Sequence, residues 1–529
     1  MPIQTILIAG QWRAARSSGC FHAENPATGE TLPAEYPVST WADCDSALDA
    51  AVAAAEKLRA APAEQIAQFL DLYAERLEAR AAEIVDIAHL ETGLAKAPRL
   101  AQVELPRTTG QLRQAAAAVR EGSWALPTID TKLNIRSCLG PIGPVVVFGP
   151  NNFPLAYNCV SGGDFASAIA AGNPVIRKAH PSHPGTTRLV AEQALAAALD
   201  AGLPPSTVQL IYHLSPDDGL RLMGDPRLGA AGFTGSRAGG LKLKAAADAA
   251  GKPIYLELSS LNPVFILPGA LDERASQIAD DFTGSCLLAT GQMCTNPGLV
   301  ILLAGPATER FIATLQQKFA AVTPSPLLSS GVARNLAASV QKLQSAGAQL
   351  LVGGAALPGP GWRFANTLLR VDGARFFADA KTLQTEAFGN ASLLVIVRDG
   401  AEAAAVIDQL EGNLTGSIYS DTRGSDDPLY AELAPRLRQQ VGRLLNDKMP
   451  TGVAVTAAMN HGGPYPSTGH PGFTAVGIPA SLRRFAMLQC YDNVRPARLP
   501  PALRDKNPTG KMWRLIDGQM TQADAIPRS

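Results

Sequence analysis

The spacing of apolar residues changes near residue 140, and the parts of the chain before and after this point predict different kinds of structure. Residues 43 to 90 have a helical texture, rich in alanine and decorated with Glu and Arg. Its clearest signal is an apolar stripe at i, i+3, i+4, i+7 and i+11, formed by Ile66, Phe69, Leu70, Tyr73 and Leu77. We predict helices here and a structural role for the stripe.

From residue 140 onward, short β-rich runs alternate with segments of helical composition. The runs are "PVVVFGP", "NPVIRKA", "VQLIYH", "AAGFTGS" and "PIYLELS", and no hairpin turns join them. Such alternation predicts βαβ units and a parallel sheet covered on both faces. A second block, from "GLVILLAG" to "LTGSIYS", predicts another α/β domain, and the tail after about residue 480 is expected to need a partner surface.

Composition narrows the class of protein. The chain has 529 residues, 46% apolar and 17% charged, which predicts a compact protein of two or three domains. Its 46 basic and 46 acidic side chains cancel, so we expect neither a nucleic-acid nor an anionic-membrane partner. The apolar runs have strand length and the N-terminal stretch lacks a basic n-region, so we expect no membrane span and a cytoplasmic location.

The seven cysteines are scattered and never form C-x-x-C, which argues against a disulfide framework or a zinc site and fits a reducing compartment. His180 and His183 are three residues apart, but prolines interrupt the segment and no cysteine or carboxylate accompanies them. We therefore predict no metal.

Three polar residues follow predicted parallel strands, where ligands of such sheets bind. Asn152 brings amide donors but is typical of a turn, and Lys178 could reach a ribose or a phosphate or simply be solvated. Glu257 ends an apolar strand, where it is either a buried general base or the cap of the next turn.

A further strand leads into "TGSRAGG", where Thr234, Gly235 and Ser236 open a predicted helix. Free N–H groups at such a position bind phosphate. Gly240 completes a G-x-x-x-x-G, but Leu241 follows it instead of the lysine of a P-loop, and no G-x-G-x-x-G is present. A dinucleotide, if one binds, does so without the usual fingerprint.

Cys294 lies in "GQMCTNPG", a stretch that is too polar for a core. Its neighbour Cys286 recurs at i and i+4 with Ile278 and Phe282, which predicts a core position on a helix. We therefore expect Cys294 to be partly exposed, as a nucleophile or as a metal ligand.

Taken together, "PIGPVVVFGPNNFPL", "NPVIRKAHPSHPG", "GFTGSRAGG", "YLELSS", "GQMCTNPG" and "TEAFGN" resemble the motifs of the aldehyde dehydrogenase superfamily, in their order and rough spacing. "ETG" at residues 91 to 93 extends the resemblance over nearly the whole chain. The resemblance implies that Cys294 attacks an aldehyde through a thiohemiacetal and a thioester. It also implies that Asn152 and the Cys294 N–H form the oxyanion hole and that Glu257 activates water.

The same resemblance implies NADP or NAD as the cofactor. Lys178 and Glu386 would hold ribose hydroxyls, Phe388 would support the nicotinamide ribose, and Ser236 would meet the pyrophosphate within the segment of Thr234, Gly235 and Gly240. Many NAD-preferring members place a Glu three residues after the lysine; here Pro181 stands there. Without that carboxylate, Ser182 or the nearby His180 or His183 could meet a 2′-phosphate, so we predict that NADP is accepted and preferred.

Three departures from the common pattern resemble the branch that acts on 2,5-dioxovalerate (α-ketoglutaric semialdehyde), with a bacterial fatty-aldehyde dehydrogenase as a relative. They are "ELSS", the absence of a Trp before Asn152, and the segment "HGGPYPSTGHPGFTAVG". His461 in that segment could tune the thiol or order a loop, and it is not assigned to the site. A distal substrate carboxylate would call for an Arg, for which Arg484 is one of several candidates.

The resemblance implies an α/β architecture with a Rossmann-type cofactor domain (1–121 and 140–257), an α/β catalytic domain (258–480) and a small β arm for oligomerisation (122–139 and 481–529). A homodimer or homotetramer is expected. Three further functions stay open: a non-catalytic nucleotide-binding scaffold, a cysteine transferase or hydrolase without nicotinamide, and acyl transfer to coenzyme A. Retention of five motif residues disfavours the scaffold, and Glu257 favours release of a free acid.

Overall fold

The structure is a computed structural model that describes residues 2–525. Its strands, in chain order, are β1 (Ile6–Ile8), β2 (Gln11–Arg13), β3 (Ser17–Asn25), β4 (Glu30–Ser39), β5 (Thr128–Asp130), β6 (Ile135–Pro141), β7 (Val145–Phe148), β8 (Val175–Lys178), β9 (Val208–Ile211), β10 (His213–Leu214), β11 (Ala230–Thr234), β12 (Ile254–Glu257), β13 (Val264–Ile266), β14 (Leu299–Leu303), β15 (Gln349–Val352), β16 (Thr367–Asp372), β17 (Ala391–Val397), β18 (Asn413–Tyr419), β19 (Val441–Asn446), β20 (Ala486–Asp492), β21 (Arg514–Ile516) and β22 (Gln519–Thr521).

The α-helices are α1 (Trp41–Ala60), α2 (Ala63–Ala79), α3 (Ala81–Thr92), α4 (Leu105–Glu121), α5 (Gly163–Ala170), α6 (Pro184–Asp200), α7 (Pro216–Gly224), α8 (Arg237–Ala249), α9 (Pro268–Leu287), α10 (Pro306–Ala321), α11 (Ser330–Ser345), α12 (Gly373–Ala378), α13 (Ala380–Leu383), α14 (Gly400–Gln409) and α15 (Asp427–Gln440). An irregular helical segment, Lys96–Glu104, leads into α4. Within residues 2–525, none of the helices combines the length and the apolar character that crossing a bilayer requires.

The first large sheet has seven strands in the order β12-β11-β7-β8-β9-β1-β2. Strands β7, β8, β9, β11 and β12 of this sheet are parallel. This confirms the parallel sheet predicted from the alternation after residue 140. The pairing aligns their carboxyl ends: Thr234 is opposite Glu257, and Phe148 is opposite Lys178. The polar residues that follow these strands therefore meet along one edge of the sheet.

The second large sheet follows the order β15-β16-β17-β14-β13-β18-β19. Its strands run parallel except for β15, which pairs antiparallel to β16 at the edge. Strands β14, β17 and β18 are buried along most of their length, as strands covered on both faces must be. The predicted second α/β block is confirmed.

A smaller five-stranded sheet joins distant parts of the chain in the order β20-β6-β5-β21-β22. Here β5 and β6 form a hairpin, and the tail strand β20 pairs antiparallel with β6 from Ala486 opposite Pro141 to Asp492 opposite Ile135. The tail is expected to need a partner surface, and strand β6 of the same chain supplies it. On β20, Met487 and Leu488 stay exposed, and residues 526–529 of the predicted arm lie outside the described residues.

The apolar stripe of the early helices lies on α2, and all five of its members are buried, as predicted. The Tyr73 hydroxyl donates to the Val190 carbonyl at 3.1 Å, which ties α2 to α6. The rings of Tyr73 and Phe165 meet edge to face with centroids 5.9 Å apart. This contact packs α2 against α5.

Glu91, at the end of α3, caps the N-terminus of α6. Its carboxylate accepts from the Gly185 N–H at 2.7 Å, the Thr186 N–H at 2.8 Å and the Thr186 hydroxyl at 2.7 Å. Burial raises the pKa of Glu91 to about 7, against the opposing effect of these donors. The contact holds the segment that follows Lys178 in a fixed place.

We predict that Glu91→Ala lowers the free energy of unfolding by about 3 kcal/mol, because it leaves buried donors at the start of α6 without an acceptor. Thermal unfolding followed by circular dichroism measures the change. Glu83→Gln, on the exposed side of the same helix, is the matched control. An unchanged midpoint for Glu91→Ala would show that α6 does not depend on this cap.

Candidate active site

Glu257 reaches the site because it ends β12 at the aligned edge of the first sheet. Its strand is extended by an isolated bridge to Thr468, and the Leu258 N–H donates to the Ser467 carbonyl at 2.8 Å. These contacts bring the segment around residues 461–468 against the end of β12. A segment far away in the sequence is thereby fixed beside the carboxylate.

The loop that carries Cys294 follows α9 and has an unusual backbone. Ala289, Thr290 and Gly291 adopt successive positive φ values of 50°, 56° and 68°. A Cβ atom on Gly291 would lie 2.1 Å from the Gly389 carbonyl oxygen, so this position requires glycine. The loop is therefore wedged against the segment that carries Glu386 and Phe388.

The prediction that this stretch is too polar for a core is wrong, because its side chains are buried and hydrogen-bonded. Gln292 accepts from the Leu328 N–H at 2.8 Å. Asn262 donates to the carbonyls of Cys294 and Asn296, at 3.0 and 2.9 Å. Buried polar groups are tolerated when they are paired in this way, and here the pairing makes the loop rigid.

Cys294, His461 and Glu257 converge at one point. The Cys294 Sγ lies 3.3 Å from the His461 Nε2, and the same nitrogen lies 2.9 Å from the Glu257 Oε1. His461 and Glu257 are buried, whereas Cys294 is partly exposed, as predicted. The predicted core position of Cys286 is confirmed, and burial raises the pKa of its thiol to about 12.

The charge of His461 is set by its two neighbours. Burial alone would lower the pKa of the imidazole, but Glu257 and Cys294 outweigh it and raise the pKa to about 10. His461 is therefore an imidazolium at neutral pH, with its Nε2 proton between the sulfur and the carboxylate. One ligand atom from each of the three residues lies within 4.8 Å of the others, so a metal ion such as Zn²⁺ could compete for this group only by displacing the proton of His461.

Two groups around this centre have unused hydrogen-bonding capacity. Asn152, buried after β7, donates one amide N–H to the Gln292 carbonyl at 3.0 Å, and that leaves its second amide hydrogen. The Glu257 Oε2 is buried without a partner among the described residues. The first is a free donor held against the loop that carries Cys294, and the second is a free acceptor on the carboxylate that contacts His461.

A cavity of about 510 Å³ leads to Cys294 from the surface. Aromatic and aliphatic side chains form most of its wall, including Phe153, Tyr157 and Met293. The Tyr157 ring stands 6.0 Å from the His461 ring. An organic substrate of modest size fits such a space.

The lining of a second cavity, of about 350 Å³, includes Arg237, Ser259 and Glu386. Burial raises the pKa of Glu386 to about 7, against hydrogen bonds from Ser259 and the Ser260 N–H. Glu386 also lines a small pocket with Phe388, next to the loop of Cys294. Both residues thus border the loop that carries the nucleophile.

The helix predicted from "TGSRAGG" is α8, and it begins one turn later than Thr234. Ser236 caps it by accepting from the Gly239 N–H at 3.3 Å. The Gly235 N–H is not free, since it donates to the Glu257 carbonyl at 3.1 Å. A Cβ on Gly240 would lie 2.5 Å from the Leu258 side chain, so that glycine lets α8 pack closely on the sheet.

Lys178 ends β8 at the aligned edge, where burial lowers its pKa to about 8. In the turn that follows, the Ser182 N–H donates to the His180 Nδ1 at 3.1 Å. His183 uses both ring nitrogens, one on the Pro150 carbonyl and one on the Thr187 hydroxyl. His180 and the Ser182 hydroxyl are therefore better placed than His183 to meet a ligand.

The sequence patterns do not assign His461 to the site, and they do not single out an arginine for a distal substrate carboxylate. His461 lies 167 residues from Cys294, in a segment without periodicity, so only its quoted motif could have drawn attention to it. Arg484 is buried and pairs with Asp164 at 2.7 Å. The arginines that line the cavity of Cys294 are Arg99 and Arg107 instead.

Known proteins share the sequence pattern of this chain. Residues 12–454 match the profile of the Aldehyde dehydrogenase family. The chain is similar to alpha-ketoglutaric semialdehyde dehydrogenase 2 of Azospirillum brasilense, with 39% identity over 97% of this chain and 98% of the relative. It is also similar to alpha-ketoglutaric semialdehyde dehydrogenase of Acinetobacter baylyi, with 35% identity over 92% and 93%.

Solved structures share the fold. Lactaldehyde dehydrogenase from Escherichia coli superposes with a TM-score of 0.78 at 22% identity, over 93% of this chain and 99% of the other. Aldehyde dehydrogenase C from Pseudomonas syringae gives a TM-score of 0.80 at 22% identity, over 94% and 98%. The α/β architecture is therefore that of these enzymes.

We predict that His461 makes thermal stability fall between pH 6.5 and about 10. Native His461 keeps a proton over this range that the unfolded chain releases, so its contribution is complete below pH 6.5 and lost as pH rises through about 10. Midpoints of thermal unfolding are compared for wild type and His461→Gln, with His22→Gln on an outer strand as control. Parallel curves for wild type and His461→Gln would contradict the assigned charge.

Proposed function

The chain belongs to the aldehyde dehydrogenase family, and from this premise we propose that it oxidises 2,5-dioxovalerate to 2-oxoglutarate with NADP or NAD. The convergence of Cys294, His461 and Glu257 at the end of a substrate-sized cavity carries the proposal. The substrate is supported by the two bacterial relatives named above, which are called alpha-ketoglutaric semialdehyde dehydrogenases.

Cys294 is the proposed nucleophile. A thiolate attacks carbonyl carbon far better than a thiol does, and a neighbouring cation favours the thiolate. The His461 imidazolium, 3.3 Å away, is such a cation. Attack forms a C–S bond and moves an electron pair onto the aldehyde oxygen, which gives a thiohemiacetal.

The negative charge that develops on this oxygen needs fixed donors. We assign the free amide hydrogen of Asn152 and the N–H of Cys294 as these donors. The bond from Asn152 to the Gln292 carbonyl holds the amide before substrate arrives, and a donor that is already oriented costs no reorganisation.

A nicotinamide dinucleotide, when bound, supplies the acceptor for the hydride that leaves the substrate carbon. The chain has fitting residues: the Ser236-capped start of α8 for the pyrophosphate, and Lys178 and Glu386 for ribose hydroxyls. Thr234, Gly235 and Gly240 shape that turn, and Phe388, which lines a small pocket with Glu386, would support the nicotinamide ribose. The Glu386 carboxylate is partly buried and lines a cavity, so its oxygens can accept hydrogen bonds from a ribose hydroxyl there.

Glu257 is the proposed general base for the thioester that remains on Cys294. Its Oε1 is occupied by His461, while its buried Oε2 has no partner among the described residues and can accept a water. Removal of a proton lets that water add to the thioester carbon. The C–S bond then breaks, and the carboxylic acid and the Cys294 sulfur are released.

The structure places a histidine beside Cys294, as a cysteine hydrolase would require, but the arrangement of its ring nitrogens is not that of a hydrolytic triad. In a hydrolytic triad the carboxylate bonds one ring nitrogen and the nucleophile bonds the other. Here the Nε2 of His461 faces both Glu257 and Cys294. His461 therefore works as a shared cation rather than as a relay, and this favours the dehydrogenase.

A non-catalytic scaffold and acyl transfer to coenzyme A both fit the site less well. A scaffold needs no assembled thiol, imidazolium and carboxylate. Acyl transfer to coenzyme A would not need a water-activating Glu257. A fatty aldehyde remains the second substrate candidate, because the wall of the cavity is mostly apolar.

We also propose the expected assembly and location. The cofactor domain (1–121 and 140–257) and the catalytic domain (258–480) are supported by the two large sheets, which divide between β12 and β13. The exposed Met487 and Leu488 on β20 support a homodimer or homotetramer built through the arm (122–139 and 481–529). A cytoplasmic location fits a chain with seven free cysteines.

We predict that Cys294→Ala abolishes oxidation of 2,5-dioxovalerate, since the covalent step is lost. Glu257→Gln should give a burst of about one reduced cofactor per site, slower than in wild type because His461 loses its carboxylate partner. Still slower turnover should follow the burst, because hydrolysis of the thioester has lost its base. Stopped-flow absorbance of the reduced cofactor measures both effects, with the buried Cys286→Ala as a control of normal activity. A Glu257→Gln enzyme that turns over at the wild-type rate would refute the assigned base.

NADP is the proposed preferred cofactor, because Pro181 leaves no carboxylate to repel a 2′-phosphate and Ser182 and His180 face the turn. We predict that Pro181→Glu lowers kcat/KM for NADP by at least about tenfold, or about 1.4 kcal/mol, and changes that for NAD little. Steady-state kinetics with both cofactors measure the ratio. Wild-type preference for NAD by tenfold or more would overturn this assignment.

A further inference from the structure

The cavity that leads to Cys294 carries an unpaired positive charge on a mostly apolar wall. Phe153, Tyr157 and Val453 belong to that wall, and two arginines, Arg99 and Arg107, reach it. A charge in such surroundings is screened less than one in water, so it attracts an opposite charge over a longer range. Whether each arginine is neutralised by a neighbour therefore decides what the cavity binds.

Arg99 is neutralised. It forms an ion pair with the buried Glu104 and donates to the Asn152 carbonyl at 3.1 Å. Glu104 in turn accepts from the backbone N–H groups of Leu155 and Ala156, at 2.8 and 3.0 Å. This pair supports the backbone next to Asn152 and adds no net charge to the cavity.

Arg107 has no such counter-charge. Its Nη1 donates to the Val453 carbonyl at 2.9 Å, and its Nη2 donates to the Tyr157 hydroxyl at 3.1 Å. No carboxylate within residues 2–525 lies inside 4.0 Å of its guanidinium. A guanidinium has five N–H donors, so three remain after these two bonds, and the Nε is buried without a partner.

Tyr157 contacts both Arg107 and the His461 ring. The guanidinium carbon lies 5.3 Å from the Tyr157 ring centroid and 5.8 Å from that of Phe153. Tyr157 also neighbours the His461 ring, which contacts the Cys294 sulfur. Arg107, Tyr157 and Cys294 all line the same cavity, so the cation and the reacting centre face one substrate space.

We propose that Arg107 binds the distal carboxylate of the substrate, and that this contact makes the cavity select aldehydes with a carboxylate at the far end; the inference rests on the proposed function. The remaining N–H donors of Arg107 form charge-assisted hydrogen bonds to the carboxylate oxygens. The chain between the two ends lies along Phe153 and Tyr157, and the aldehyde reaches Cys294. The bonds to Val453 and Tyr157 hold the guanidinium in place before binding, which lowers the entropic cost of the contact.

The test compares 2,5-dioxovalerate with pentanal, an uncharged aldehyde of equal carbon number, in wild type, Arg107→Met and Arg107→Lys. Loss of charge-assisted bonds predicts that Arg107→Met lowers kcat/KM for 2,5-dioxovalerate about 10- to 100-fold, mainly through KM. Turnover of pentanal should change less than about threefold, since it makes no such bond. Arg107→Lys keeps the charge and should retain part of the preference. The control is Arg113→Met on the same helix, whose native side chain pairs with Glu78 at the surface.

The outcomes separate substrate selection by Arg107 from the dehydrogenase activity itself. Equal losses with both aldehydes would mean that Arg107 only supports Tyr157, and this would overturn the inference while the proposed function stands. A wild-type enzyme that shows no preference for the carboxylated aldehyde over pentanal would also overturn it. Wild type that oxidises neither aldehyde, with either cofactor, would refute the proposed function itself.

Discussion

The site depends on one nitrogen atom. The Nε2 of His461 lies within hydrogen-bonding distance of both a sulfur and a carboxylate oxygen, at 3.3 and 2.9 Å, inside a buried environment. A lone imidazolium there would be costly, and so would a lone carboxylate. Each charge is tolerated because the other is present, and the raised pKa of His461 expresses that mutual dependence. The charged pair of His461 and Glu257 is held in place by the fold, and the Cys294 thiol lies beside its positive member.

This contact constrains three distant parts of the chain at once. The end of β12 supplies Glu257, the loop after α9 supplies Cys294, and the segment that pairs with β12 through Thr468 supplies His461. Positive φ values at Ala289 and Gly291 and the close approach to Gly389 leave the loop little freedom. Rigidity of this kind has a catalytic value, because a displaced sulfur would lose both the imidazolium and the Asn152 donor.

Much of this architecture follows from local patterns in the sequence. The stripe on α2 and the alternation of strand and helix after residue 140 depend on periodicity, which is visible without tertiary structure. Residues at strand ends were predictable for a related reason: parallel strands in one sheet bring their carboxyl ends to the same edge, so Glu257 and Lys178 share it. The buried character of the Cys294 loop was not predictable. Its polarity is offset by partners such as Leu328 and Asn262, which no local window contains.

The two charged residues that sequence reasoning did not assign illustrate a common limit. The role of His461 and of Arg107 in the site depends on whether a counter-charge lies beside the side chain. That counter-charge comes from residues far away in the chain. His461 has one, Glu257, and becomes a fixed part of the centre. Arg107 points into the same cavity as Arg99, yet only Arg99 is matched, because Glu104 lies beside Arg99. Composition, with equal numbers of acidic and basic residues, hides this difference. A neutral chain can therefore hold a locally charged substrate cavity, and it is the unmatched side chain, rather than the total charge, that gives such a cavity its selectivity.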